Sequence, residues 1–337
     1  VRVLVTGGSG FVGSHAVAAM LGAGHEPRLL VRDKAKAERV LAGLGVSGTP
    51  DLVPGDVRDA AGVKAALEGC DAVLHAAADM GVTGRAADLA GSNVAGTENV
   101  LGQAAGLGLD PVIHVSTVAV FVPPAGDTIT VDSPPASPRN EYGRSKLAAE
   151  RYARRLQDEG APVTIVYPGG VVGPAQPTLD ALMEGLRAGL TQGWPITRGG
   201  VGVVDVRDLA QVLARCLTSG EGPRRLLLGG HFLRWAELAD LCDRISGARC
   251  RRFPVPARLL QAGGSALDAL KRIRPFSYPL TRDAADMMIS MVPTDDRPTL
   301  DALGVTLRPA GESLADAVRW LVAAGHLPPR HAPGLAS

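Results

Sequence analysis

Cysteine is scarce here, and its four positions, Cys70, Cys216, Cys242 and Cys250, form no C-x-x-C pair and have few histidines near them. That spacing argues against a zinc site and against a disulfide framework, so the thiols read as reduced and mostly buried, and no metal is expected. No uninterrupted apolar run approaches the ~18 residues that a membrane-spanning helix needs. The opening V-R-V-L-V-T-G-G carries no charged n-region or cleavage signal, so the expectation is a cytoplasmic protein that does not engage a membrane. Charge of one sign is missing too: 35 Lys and Arg stand against 34 Asp and Glu. Without a basic field, nucleic acid and anionic lipid are not expected partners, and a small molecule is the default. Low-complexity tracts and internal repeats are absent, since the 42 glycines and 25 prolines fall between periodic segments.

What is present is alternation. Short β-branched runs at 2–6, 28–32, 51–53, 72–75, 112–116 and 163–167 alternate with helical periods at about 11–23, 34–44, 60–68, 86–107 and 141–160. Six strands joined by five crossovers predict an α/β fold with a doubly wound parallel sheet. Beyond Pro168 the pattern loosens: helices are expected at 175–190, 207–219 and 235–246, and short strands at 201–205 and 225–228. From Pro254 onward the reading is mostly helical, the last helix at about 312–324 ends at Gly325, and 326–337 is expected to be a loose tail.

The first strand runs into Thr6-Gly7-Gly8-Ser9-Gly10-Phe11-Val12-Gly13 and then a helix. In a G-x-x-G-x-x-G, the first glycine allows the tight turn, the second lets a pyrophosphate approach the backbone, and the third lets helix and strand pack closely. Gly7, Ser9, Gly10, Phe11, Val12 and Gly13 are therefore candidate dinucleotide contacts. At the end of the second strand an acid would bond a ribose 2′-hydroxyl, whereas an Arg accommodates a 2′-phosphate. Arg32 occupies that place, followed by Lys34 and Lys36, which favours NADP(H); Asp33 keeps NAD(H) as the alternative. Asp56 and Val57 after the third strand suit the adenine, and Ala76, Ala77 and Ala78 after the fourth let a cofactor lie against the backbone. His75 reads as a packed histidine.

The fifth strand ends in Ser116-Thr117, hydroxyls at the same carboxyl edge of the sheet, and Tyr142 and Lys146 follow, one helical turn apart, with Asn140 as the helix N-cap. A free tyrosine titrates near ~10, and an ammonium one turn away favours its phenolate, which brings proton transfer within reach at neutral pH.

These residues resemble the extended short-chain dehydrogenases/reductases. The likeness is carried by T-G-G-S-G-F-V-G at 6–13, G-D-V at 55–57, H-A-A-A at 75–78, N-V-A-G-T at 93–97, V-S-T-V-A-V-F at 115–121, Y-G-R-S-K at 142–146, P-G-G-V-V-G-P at 168–174 and V-D-V-R-D-L-A at 204–210. The resemblance implies a Rossmann-type sheet with a smaller, mostly helical C-terminal substrate lobe. The dinucleotide-binding domain would span 1–174 with 201–229 returning to it, and the lobe would take 175–200 and 230–325. It also implies Tyr142 as the acid/base, Lys146 on the nicotinamide ribose, Thr117 on the substrate oxygen, and Asn93 as a helix-breaking support. Ser116, Pro168, Gly169 and Val171 are implied near the cofactor, and a homodimer through the 86–107 and 141–160 helices.

Within that family three readings stay open. The first is an NADP(H)-dependent ketone reductase or alcohol dehydrogenase similar to the dihydroflavonol reductase and 3β-hydroxysteroid dehydrogenase branch. The second is a nucleotide-sugar epimerase that retains its nicotinamide, and the third a non-catalytic dinucleotide sensor. Dehydratases of the family carry an acidic pair after the threonine, whereas Val118 and Ala119 follow here. Tyr167 stands where the family often has Arg, a departure expected to alter contacts on the substrate side. In the lobe, Trp194, Trp235, Trp320, Phe253, Phe276 and Tyr278 read as core residues, and 257–273, with its basic Arg258, Lys271, Arg272 and Arg274, as an ordinary amphipathic helix.

Overall fold

The six expected strands are β1 (Arg2–Thr6), β2 (Glu26–Val31), β3 (Asp51–Pro54), β4 (Ala72–His75), β5 (Val112–Val115) and β6 (Val163–Pro168). Between them run α1 (Phe11–Gly22), α2 (Lys34–Gly43), α3 (Ala60–Leu67), α4 (Leu89–Gly106) and α5 (Glu141–Asp158). This computed structural model describes residues 1–46, 48, 50–78, 89–137, 141–273 and 280–335, without the side chains of 89–92, 141, 142, 271–273 and 283. Asn140, Arg274, Phe276 and Tyr278, and the expected helix start at 86–88, lie outside the described residues.

Later in the chain come β7 (Gly170–Val172), α6 (Ala181–Gln192), β8 (Trp194–Ile196), β9 (Gly200–Asp205), α7 (Val206–Arg215), β10 (Arg224–Leu228), β11 (His231–Arg234), α8 (Trp235–Ser246) and β12 (Arg252–Pro254). The helices α9 (Ala257–Ile273), α10 (Arg282–Ser290), α11 (Arg297–Leu303) and α12 (Ala310–Ala323) follow. The large sheet has seven parallel strands in the order β10-β6-β5-β4-β1-β2-β3. Period-two alternation sends its side chains to two cores. Val3 and Val5 pack with Ala16 and Val17 of α1 and Leu209 and Leu213 of α7, while Leu4 packs with Val63 of α3, Leu101 of α4 and Ala153 of α5.

The chain re-enters this sheet through β10, but β9 does not join it. That strand pairs with β7 and β11 in a three-stranded sheet, over which α6, α8 and α12 close a third core. Helix α6 begins at 181 rather than 175, because the Asp180 carboxylate accepts the Met183 N–H at 2.9 Å and caps the helix there. The segment expected to be a loose tail packs instead: Leu327 and Ala332 are each 1% exposed, buried against the third core. Their apolar side chains gain more from that burial than an exposed tail would retain in chain entropy. Among the described residues no helix is long and apolar enough to cross a membrane, and no three His, Cys, Asp or Glu side chains gather as a metal site.

Three contacts tie the C-terminal part to the sheets. Asp205 and Asp316 share the Arg207 guanidinium, and Arg308 pairs with buried Asp208, so the V-D-V-R-D-L-A run is largely a structural clasp. Ile129 N–H donates to Pro293 and Asp295 N–H to Ile129, which pins the stretch after β5. Buried Asp296 accepts the Gly229 N–H at 2.9 Å and the Gly230 N–H at 2.7 Å. Replacing Asp296 with Ala takes this partner from the buried Gly229 N–H and the half-buried Gly230 N–H, and an unpaired buried donor costs ~1–3 kcal/mol. Urea unfolding of Asp296→Ala is expected to show about 2–4 kcal/mol less stability, and an unchanged midpoint would contradict the clamp.

Candidate active site

Strand order reverses between β4 and β1, and in open α/β sheets ligands bind in the crevice beyond the carboxyl ends of the strands at such a point. Gly7 turns there with φ +77°, a conformation open to glycine at little cost. A Cβ on Gly7 would stand 2.7 Å from the backbone of Ala76 and Ala77, and one on Gly13 would stand 2.2 Å from the Gly7 carbonyl oxygen. Side chains are therefore excluded from the floor of the turn. The first helical bond of α1 runs from Ser14 N to Gly10 O, so the N–H groups of Phe11, Val12 and Gly13 precede it; no side chain caps them and no acid sits in the first turn. An uncapped helix N-terminus above a floor of glycines fits the pyrophosphate of a dinucleotide. Half-buried Ser9 lies on the same turn.

At the end of β2 the Asp33 carboxylate accepts the Lys36 N–H at 2.9 Å and so caps α2. Arg32 and Lys36 are exposed, and Arg32 makes no hydrogen bond or ion pair among the described residues. Asp56 receives the backbone N–H, Nε and Nη2 of Arg58 at 2.9, 3.0 and 2.8 Å, and this Arg58 fork holds its carboxyl below the usual range. The Val57 carbonyl accepts from Asn99 Nδ2, and exposure rises along the lip from Ala76 and Ala77 to Ala78. Across the crevice, Gly169 N–H donates to Leu228 O, and its backbone lies too close to Gly229 to admit a Cβ. Pro168 is buried beside it, and half-buried Val171 packs against the α1 side of the sheet.

Thr6, His75 and His114 form a row across β1, β4 and β5. His75 Nδ1 lies 2.7 Å from Thr6 Oγ1 and its Nε2 3.1 Å from Thr97 Oγ1, while the Thr97 hydroxyl donates to Asn93 O. With the Thr97 hydrogen so committed, His75 donates from Nε2 and accepts at Nδ1, which assigns the neutral ring. Burial, with Lys146 nearby, lowers its pKa to about 3. His114 stacks on His75 at 5.6 Å, has no hydrogen-bond partner for either ring nitrogen among the described residues, and is pushed well below its ordinary range by burial, His75 and Lys146. Asn93 departs from expectation: α4 runs through it unbroken, and its Nδ2 donates to Ser145 Oγ at 3.1 Å. That bond ties α4 to α5.

Thr117 closes β5 in extended conformation, and its Oγ1 accepts the Ala119 N–H, which leaves the hydroxyl hydrogen to be donated. Ser116 differs: it is buried, and its hydroxyl donates to Glu150 Oε2 at 2.8 Å, away from the crevice. Lys146 is 7% exposed, and burial, opposed by Glu150, lowers its pKa to about 8. Tyr142 stands in the first turn of α5, and its side chain lies outside the described residues.

Glu150 and Arg154 were not among the expected site residues, and Tyr167 was expected to act on the substrate side. Glu150 is fully buried and accepts from Ser116, from Arg154 Nε at 2.7 Å and from Tyr167 Oη at 2.5 Å. Tyr167 therefore does not face the substrate side. Strand parity turns it toward the α5 core, where its ring lies 5.0 Å from that of Phe121 and Arg154 Nη2 donates to its hydroxyl. The signal was present as K-x-x-x-E-x-x-x-R over 146–154, one face of a helix.

Residues 3–229 match the NAD dependent epimerase/dehydratase family. The chain belongs to that family. It is 28% identical over 336 residues to sterol demethylase protein B of Methylococcus capsulatus, covering 94% of this chain and 97% of that one. A putative dihydroflavonol 4-reductase of Synechocystis is 27% identical, covering 96% and 95%. Among solved structures, gox2253 superposes with a TM-score of 0.80 at 26% identity, covering 97% of this chain and 99% of that one. As an epimerase/dehydratase family member, the protein is an enzyme of the extended short-chain dehydrogenase/reductase type, an oxidoreductase that works with a nicotinamide dinucleotide.

The two buried neutral histidines set a pH dependence. Below about 6.5 the unfolded chain takes up protons that the native rings refuse, so stability falls with acidification by about 1.4 kcal/mol per pH unit for each ring. His114→Phe removes one of them. Its urea-unfolding stability is expected to fall less than the natural chain's between pH 7 and pH 5, and equal slopes would contradict the assignment.

Proposed function

We propose that the enzyme interconverts a ketone and a secondary alcohol on a small organic substrate, using NADP(H). The observation that carries this reading is Lys146, a nearly buried ammonium on the helix that bears Tyr142, at the sheet edge where Thr117 presents a hydroxyl hydrogen. The bound nicotinamide supplies or takes the hydride. In the reductive direction the Thr117 hydroxyl orients the carbonyl oxygen, and Tyr142 Oη gives that oxygen its proton as the carbonyl carbon gains the hydride. Lys146 holds the nicotinamide ribose, and its charge favours the phenolate left behind. Asn93, through Ser145, steadies the turn of α5 that carries Lys146.

Preference for the 2′-phosphate is supported at the end of β2. Asp33, an acid placed to bond a 2′-hydroxyl there, caps α2, whereas Arg32 is exposed and forms no ion pair among the described residues. Whole-length similarity to a putative dihydroflavonol 4-reductase supports the reductase branch over an epimerase.

The test incubates the purified enzyme with NADPH and a panel of ketones, lactols, steroids and sugar nucleotides, following the absorbance of reduced cofactor. Net consumption is expected; conversion of a sugar nucleotide without net consumption would establish the epimerase instead. Fluorescence titration should show NADPH binding tighter than NADH, and the reverse order overturns the cofactor assignment. Tyr142→Phe is expected to abolish turnover, a loss of at least ~10²-fold, with cofactor affinity nearly intact, and Lys146→Ala to damage both. Unchanged turnover in Tyr142→Phe removes the proposal.

A further inference from the structure

Helix α9 carries two apolar arcs, one turned to its neighbour and one turned to solvent. Inward, Leu260 packs with Ala285 and Ile289 of α10, Gly264 lies too close to Thr281 to admit a Cβ, and the Asp268 carboxylate accepts the Arg282 N–H at 2.9 Å. Outward, Leu259, Ala262, Ala266, Ala269 and Leu270 are all exposed, and their spacing sets them side by side along the opposite face. Leu259 is 66% and Leu270 48% exposed. A single exposed leucine is ordinary. Here, of six large apolar side chains exposed among the described residues, four fall between Phe253 and Met287, and apolar exposure gathered in one segment marks an interaction surface.

The charge of the segment decides what covers this face. Residues 249–273 hold six Arg or Lys and one acid, whereas the whole chain is nearly balanced at 35 to 34. That acid, Asp268, is turned to α10, and Arg252 is paired with Asp240 and Asp243. Arg249, Arg251 and Arg258 are exposed and form no ion pair among the described residues. Arg258 borders the apolar arc, and position 272, also Arg, falls on the same border farther along the helix. Between them Ser265 satisfies its hydroxyl within the helix, donating to Gln261 O at 2.9 Å. An outward apolar arc with a basic border matches a helix lying in the plane of an anionic bilayer. A second copy fits less well, because a two-fold contact sets the patch against itself, and the basic border would meet its own image with no carboxylate between.

We propose that α9 is a membrane-docking helix: its outward arc enters the boundary between headgroups and acyl chains of an anionic bilayer, while Arg258 and the basic positions at its C-terminal end meet the lipid headgroups. The chain lies on the membrane through this face without spanning it. The balance of charge over the whole sequence hid the surface, since an excess confined to one segment vanishes in the sum.

The test is flotation of the full chain with vesicles of phosphatidylcholine and phosphatidylserine at about two to one, beside vesicles of phosphatidylcholine alone, at low and high salt. Binding is expected on the anionic vesicles and is expected to weaken as salt rises. Leu259→Ser/Leu270→Ser should bind at least ~10-fold more weakly with its thermal midpoint nearly unchanged, because both side chains are exposed in the free protein. Arg258→Glu keeps the apolar arc and is expected to weaken binding by ~5-fold or more; should the leucine variant fail to fold, this one decides. The proposal is overturned by absence of binding to anionic vesicles, by equal binding to both kinds of vesicle, or by binding that the folded leucine variant leaves intact. Sedimentation velocity tests the other occupant: a dimer that Leu259→Ser/Leu270→Ser dissolves, in a chain that does not float with vesicles, gives the face to a second copy and overturns the membrane assignment.

Discussion

Two stretches of backbone meet at the centre of the large sheet with no room for a side chain between them. Gly7 leaves β1 against Ala76 and Ala77 leaving β4, and Gly13 closes over Gly7 from above. The contact sits where strand order reverses, so it sets where α1 begins and which N–H groups face the crevice. The other parts of the site are arranged about it: Arg32 and Asp56 lie on the β2 and β3 side, and Thr117 and Gly169 on the β5 and β6 side. A bulky residue at Gly7 or Gly13 would not merely fill space. It would push the turn away from β4 and displace the start of α1.

Much of this was legible in the chain. The alternation of β-branched runs and helical periods gave all six leading strands to within a few residues, because a strand buried on both faces has to be apolar throughout. The glycine spacing was legible because it answers to backbone geometry, which tolerates few substitutes. Short edge strands were not: β7, β8, β11 and β12 hold three or four residues each, and β8 contains a proline, so period and propensity have little to act on. These strands form by long-range pairing, β7 and β11 with β9 and β8 with β12, which leaves no local trace, and Phe253 of β12, read as a core residue, is 45% exposed. The true start of α6 was hidden for the opposite reason, since one carboxylate, Asp180, outweighed a longer helical period.

The site shows the same division. Thr117 and Lys146 stand out as candidates by their place in the chain and by the family resemblance. What spacing could not supply is which neighbours share the burial of Lys146. Tyr167 read as a change on the substrate side because position in the chain says nothing of which face a strand-end residue takes until the register is known. Once β6 is placed beside β5, its hydroxyl reaches Glu150, and Ser116, expected at the cofactor, turns to the same carboxylate. Tyr167 and Ser116, from neighbouring strands, thereby meet on one buried carboxylate of α5.

The clasps formed by Asp296, Arg207 and Arg308 bear on how such an enzyme can diversify. They bind the C-terminal segments to backbone at the end of β10 and to the first turn of α7, close to the strands that frame the crevice. C-terminal segments grafted from a relative would have to bring matching carboxylates and guanidinia, or else leave glycine N–H groups and Asp208 without these partners. Single side chains within those segments are therefore more readily changed than the segments are exchanged as a cassette.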